Sequence, residues 1–295
     1  MRVETRLKTY QEVVDRRLGE LLPSENDEPK QLHAAMRYLC LAPGKRLRPA
    51  LCMASGEAVS DATSTKAPVL DAACALEMVH CFSLIDDDLP AIDNDTLRRG
   101  APSCHVKFGE ALALLAGDAL FSRAYEVLSL ADGPGDRVLR AMQSLAKATG
   151  SSGLVGGEVL DVLSEGENVS QSQLEEIHSR KTGALISASC EIGALLGNGS
   201  EEQVAALKSF GAKIGLAFQI ADDLLNELST EEQLGKSAGS DRERHKATYP
   251  KLYGVEGAKA EAEHLLDTAT AELTAAKINS ENLTQLARYA IERLH

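Results

Sequence analysis

Apolar residues recur along this chain at intervals of three and four, the spacing that places them on one face of an α-helix, and alternating β-type runs are hard to find. The pattern predicts helices at roughly 2–22, 29–41, 48–60, 67–89, 107–131, 136–149, 171–197, 201–228, 256–276 and 281–294, with ends good to about four residues. The prolines agree. Pro23, Pro29, Pro43, Pro49, Pro68, Pro90, Pro102, Pro134 and Pro250 can all stand at helix edges, and the proline-free stretch from 134 to 250 leaves room for several long helices. No linker rich in Gly, Ser or Pro divides residues 1–295, which read as one all-α domain, a bundle of about ten or more helices. Two helices are apolar almost all round, APVLDAACALEMVHCFSLI at 67–85 and FGAKIGLAFQIA at 210–221. A helix without a polar face belongs at the centre of a large bundle. Each runs into a doubled aspartate, Asp87–Asp88 and Asp222–Asp223.

Composition narrows the picture. Aromatic residues make up 4% and tryptophan is absent, so Ala and Leu carry the packing, which favours helix. The formal charge of −13 argues against wholesale binding to nucleic acid or to an anionic membrane, and against anionic substrates unless something local reverses the sign. Cys40, Cys52, Cys74, Cys81, Cys104 and Cys190 lie scattered in apolar segments without a C-x-x-C pair, and are expected to be reduced and mostly buried. The first residues lack the apolar core of a signal peptide, and no uninterrupted apolar run approaches ~18 residues. A cytoplasmic chain without integral membrane association is the expectation.

The aspartates supply the candidate chemistry. SLIDDDLPAIDNDTLRRG at 83–100 crowds Asp86, Asp87, Asp88, Asp93 and Asp95 together. Six helical residues would carry Asp93 well round from Asp87, so Pro90 is expected to end or kink the helix and let Asp93 fold back. In DDLLN at 222–226, Asp222 and Asn226 share a helix face with Asp223 beside them. Either cluster alone fits a solvated acidic surface. Two clusters at matching ends of two apolar helices point to a divalent metal, and oxygen-only ligands suit Mg²⁺ bound through one or two carboxylates, water and substrate phosphate. Positive charge gathers nearby in sequence: Lys45 and Arg48 in GKRLRP, Arg98 and Arg99 in RRG, and Lys236 and Lys246 in GKSAGSDRERHKATYP. Lysine as a point charge and arginine as a fork both suit phosphate oxygens.

GKRLRP, EMVH, SLIDDDLPAIDNDTLRRGAPSCH, LLAGDAL, KTGALI, AFQIADDLLN and GKSAGSD…KATYPKL occur in that order, and with them the chain resembles the short-chain trans-isoprenyl diphosphate synthases of the polyprenyl synthetase family along nearly its whole length. The resemblance implies a helical bundle around a central cavity, commonly a homodimer. It also implies a prenyltransferase that condenses isopentenyl diphosphate with an allylic diphosphate, using about three Mg²⁺ ions bound with the substrate diphosphate. Residue by residue, it places Asp87, Asp88 and Asp93 in the first metal cluster and Asp222 and Asp223 in the second. Lys45, Arg48, His80 and Arg99 match the isopentenyl diphosphate site. Arg98, Lys181, Gln219, Lys236 and Lys246 match contacts to the allylic diphosphate, and Lys181, Thr182, Gln219 and Arg98 are the expected catalytic groups.

An aromatic residue five positions before the first cluster often closes the family's pocket at the C15 product; here it is Phe82, beside Ser83. Farnesyl diphosphate is therefore the favoured product. Geranylgeranyl diphosphate is the alternative, and a weakly catalytic regulatory subunit is a further one. Four residues depart from the family's pattern. Asn226 replaces an aspartate, Asp86 a histidine, Glu158 a glutamine and Pro43 a glycine.

Overall fold

Helix α4 (Lys66–Asp88) is the axis of the fold. Ala72–Val79 are buried without a break, which is why no polar face could be read in the sequence. The computed structural model describes residues 3–60, 66–228 and 248–291. Ahead of α4 come α1 (Val3–Leu21), α2 (Lys30–Cys40) and α3 (Leu47–Val59). After it come α5 (Cys104–Phe108), α6 (Glu110–Ser129), α7 (Gly135–Thr149), α8 (Leu154–Ser164), α9 (Gln171–His178), α10 (Ala184–Leu196) and α11 (Glu201–Leu228). Two more close the described chain, α12 (Tyr249–Ala275) and α13 (Glu281–Ile291). Helix α4 packs on α6 and α3, while α10 joins α3 to α11 and α11 packs on α12. The all-α bundle expected from periodicity is the one observed.

By length and composition α4 and α11 could also cross a bilayer, contrary to the simple run-length reading. In the folded chain 72% and 50% of those apolar windows are buried against other helices. All six cysteines are free and buried, as expected.

Four departures from the expected helices concern the site. The segment expected as one helix over 107–131 is split into α5 and α6 at Gly109, whose φ of +86° suits glycine. Helix α8 was not anticipated. The helix expected over 171–197 contains a π-turn at Ser179–Gly183 between α9 and α10. Helix α12 starts seven residues before the expected 256 and bends at Gly254, where φ is +73°. One two-stranded hairpin, β1 (Leu97–Arg98) with β2 (Ala101–Pro102), is the strand content among the described residues. Its tip, Arg99–Gly100, has φ +54° and +77°, the left-handed pair that a two-residue hairpin turn demands.

Candidate active site

Asp87 and Asp88 are the last residues of α4, and the chain turns back as the sequence predicts. The Asp93 amide donates to the Asp87 carbonyl at 2.9 Å, and Ile92 and Asn94 both donate to Leu89. Pro90 has no amide to continue the ladder, so the helix ends and Asp93 is drawn under the pair. Burial, then Glu158, pushes the Asp87 carboxyl up to about 8, against the pull of Lys181. Asp88 is fully buried and bound by Arg98, through Nε at 2.9 Å and through Nη2, while Arg98 also reaches Asp95 at 3.2 Å. The tight hairpin aims Arg98 and Arg99 in different directions from adjacent positions.

Arg99 turns to the opening residues of α3. There Arg46, in the left-handed region at φ +49°, lies buried and donates to Asp15 at 2.7 Å, to Glu77 at 2.6 Å and to the Cys40 and Ala42 carbonyls at 2.8 Å. Arg99 shares the buried Glu77 at 3.3 Å. A methyl group on Gly44 would stand 3.0 Å from the Arg99 guanidinium, so a larger residue there would have to push that side chain aside. Arg48 Nε is buried with no hydrogen-bond partner among the described residues. Such a donor costs about 1–3 kcal/mol unless an acceptor arrives. His80 is held neutral, its pKa pushed well down by burial and by Arg48 and Arg99. The structure thus brings Arg48 and Arg99 near His80 inside an acidic protein, while Lys45, just ahead of α3 in sequence, is exposed. Arg46, passed over in the sequence, is the structural member of that group.

The opposite wall is built by close backbone approach. A Cβ on Gly157 of α8 would fall 2.2 Å from the Lys181 amide nitrogen, and one on Gly215 of α11 would fall 2.6 Å from the Gly183 Cα. These two glycines wedge the π-turn between α8 and α11. Lys181 then places Nζ 2.7 Å from both Asp161 and Glu158. Burial would lower its pKa, but Asp161, Glu158 and Asp87 outweigh that and raise it, so Lys181 is a held cation. Thr182 donates to Gln219 at 2.8 Å, and Gln219 donates to Asp223 at 3.3 Å. Asp223 is buried and accepts the Tyr249 amide at 3.0 Å, with His178 Nε2 at 3.7 Å. Asp222 is partly buried one residue earlier on α11. Carboxylates from the ends of α4 and α11 are therefore joined through α8 and the π-turn into one network.

Asp161 was missed in the sequence because α8 was missed; GLVGGEVLD has the glycines of a loop, and its apolar spacing was the available signal. Asp86 carries another unread feature. Its Oδ1 is buried without a hydrogen-bond partner among the described residues, against Gly117 of α6, and burial with Asp118 and Glu158 pushes the carboxyl up to about 6. Phe82 leans on the same glycine and on Phe121, ring centroids 5.1 Å apart, and Phe121 on Tyr125 at 5.2 Å. Tyr125 is tied to Thr149 of α7 at 3.0 Å. Ser83 is buried and bonds the His80 carbonyl at 2.9 Å. Lys236 and Lys246 lie outside the described residues.

Residues 29–286 match the Polyprenyl synthetase family model. The chain belongs to the polyprenyl synthetase family. A geranylgeranyl diphosphate synthase of Cyanophora paradoxa is 42% identical over 292 residues, 98% of this chain and 96% of that one. The heterodimeric geranylgeranyl pyrophosphate synthase large subunit 1 of Arabidopsis thaliana is 47% identical over 264 residues, 87% of this chain and 70% of that one. Among solved structures, the FPP/GFPP synthase of Zymomonas mobilis superposes with a TM-score of 0.86 at 36% identity over 98% of both chains. This polyprenyl synthetase is a short-chain prenyltransferase.

Proposed function

We propose that the chain condenses isopentenyl diphosphate with dimethylallyl and geranyl diphosphates, making (E,E)-farnesyl diphosphate. The observation that carries this is the pairing of a carboxylate ledge with two cationic groups: Lys181 on one side, Arg48 and Arg99 on the other. In this reading Arg48, His80, Arg99 and Lys45 seat isopentenyl diphosphate, the buried Arg48 Nε finding its acceptor there. Lys181 and Arg98, with Lys236 and Lys246, meet the allylic diphosphate. The donor set suits a hard divalent cation, because the Asp87 carboxyl, raised first by burial and then by Glu158, is one that such a cation would hold ionised. Asp87, Asp93 and Asp222, with Asp88 and Asp223 beside them, would hold Mg²⁺, which supplies positive charge for the pyrophosphate leaving group.

Residues of the chain do the rest. Lys181 stands charged where negative charge develops as the allylic C–O bond breaks. Thr182 commits its proton to Gln219, so its oxygen lone pairs are the end offered to the allylic cation. The isopentenyl double bond attacks, and a proton leaves to pyrophosphate. Apolar walls from α4 and α11 keep water from the cation. Phe82, backed by Phe121, supports the C15 product. The similar proteins named as geranylgeranyl synthases favour C20 as the second reading. Exposed aliphatic residues Val155, Val159, Val162 and Leu163 along one stripe of α8, with Leu114 and Leu115 on α6, support a homodimer. The free buried thiols support a cytoplasmic setting.

The test is a product assay on the purified chain with Mg²⁺, radiolabelled isopentenyl diphosphate and each allylic diphosphate in turn. Farnesyl product is expected, and none when the metal is chelated. Mainly geranylgeranyl product replaces the first reading with the second. No condensation without a partner chain would turn the reading to a regulatory subunit.

A further inference from the structure

Lys181 is clasped more tightly than a diphosphate-binding lysine needs to be. Helix α8 places Glu158 and Asp161 on one face, three residues apart, and the Gly157 contact with the π-turn brings that face against Lys181. Both carboxylates reach Nζ at 2.7 Å, and both are largely buried, their side chains 13% and 15% exposed. Asp161 alone would neutralise the ammonium. Glu158 adds a second full charge, felt by Asp86 and by Asp87, so the negative field extends to the first aspartate cluster. A glutamine of the same shape would still accept a hydrogen bond from Lys181 without that charge.

We infer that Glu158 is a positioning residue that restrains Lys181 and weakens the hold of the allylic site on diphosphate. The inference rests on the proposed role of Lys181 at that diphosphate. An incoming diphosphate must compete with two carboxylates for one ammonium, and it meets the repulsion of Glu158 as it does so. The same repulsion favours departure of the prenyl diphosphate product. Glu158 therefore sets a balance between capture and release, and it does so without touching the reacting carbons.

The experiment is calorimetric binding of inorganic pyrophosphate with Mg²⁺ to the full chain, to Glu158→Gln, to Lys181→Met and to the double variant. Glu158→Gln is expected to bind roughly tenfold tighter, a factor equal to about 1.4 kcal/mol, and the gain is expected to vanish in the Lys181→Met background. Loss of a merely structural contact would weaken binding, so a gain is the decisive sign. Unchanged or weaker binding in Glu158→Gln, with Lys181→Met weakened as expected, overturns the inference and leaves the proposed function standing. If Lys181→Met binds as the parent does, the role given to Lys181 falls instead. Mn²⁺ binding followed by electron paramagnetic resonance without pyrophosphate is expected to be at most a few-fold weaker in Glu158→Gln, the effect of losing a field felt at Asp87. A loss of Mn²⁺ binding as large as that of Asp87→Asn makes Glu158 a metal-side carboxylate and overturns the inference.

Discussion

Replacing Asp86 by asparagine removes a charge that the fold accommodates poorly. In the folded chain this carboxyl titrates near 6 against an ordinary 3.8, because it is buried beside Gly117 with Asp118 and Glu158 for neighbours. A folded pKa above the unfolded one means that the native state binds the proton more tightly, so this group's contribution is fully present below about 3.8 and is lost as pH rises through 6. Each unit of pKa difference corresponds to about 1.4 kcal/mol, and solvent screening at this half-buried group leaves the ionised carboxylate a cost of about 1–2 kcal/mol above that range. Asp86→Asn keeps the shape and cannot ionise. It is expected to raise unfolding free energy by about 1–2 kcal/mol near pH 8, by about half that near pH 5, and not at all in stronger acid. The assay is urea unfolding followed by far-UV circular dichroism, parent against variant at one protein concentration, so that any association is held constant. A gain that stays the same across pH, or a variant less stable near neutrality, would show that a poorly solvated charge at Asp86 is not what the fold fights.

Other outcomes follow from the same geometry. Phe82→Ala is expected to lengthen the product by at least one isoprene unit, read by chromatography of the dephosphorylated alcohols; an unchanged distribution removes Phe82 from length control. Asp223→Ala takes the acceptor from the buried Tyr249 amide and is expected to cost about 1–3 kcal/mol of stability, with Asp223→Asn recovering most of it in thermal melts. Equal losses in the two variants would mean that charge, not the hydrogen bond, is what matters there. Gly157→Ala places a methyl group 2.2 Å from the Lys181 amide. It is expected to lower turnover at least tenfold and to destabilise by about 1–3 kcal/mol, since overpacking moves backbone; parent-like kinetics would show that α8 is free to shift.

Much of the bundle was legible because burial imposes a period. Helix α4 starts and ends within one residue of its expected span, and Asp93 folds back where Pro90 made it do so. The direct pairing of Arg98 with Asp88 and of Lys181 with Glu158 and Asp161 was not readable, because the sequence showed only that charge is crowded. Close packing was not readable. Gly153, Gly156 and Gly157 have the look of a loop, yet Gly157 is inside a helix because a neighbouring backbone passes too near for a side chain. The start of α12 was hidden by Gly254, whose left-handed backbone interrupts the period two residues before the regular pattern begins. The trouble at Asp86 and the clasp at Lys181 arise between segments about thirty and twenty residues apart, and a periodicity sees only one helix at a time.

The widened turn at Ser179–Gly183 has a consequence for how this family member tolerates insertion and deletion. An ordinary helix rotates about 100° with every residue, so cutting one out swings everything on one side of the cut. The wide turn stores a spare residue between two stretches that are each locked by their own neighbours, His178 against Tyr249 before it and Gly183 against Gly215 after it. Deleting Arg180 should let the backbone relax into an unbroken α-helix with both locks kept, so that the helices on either side hold their register. The change would be confined to the turn around Lys181, one codon from the parent.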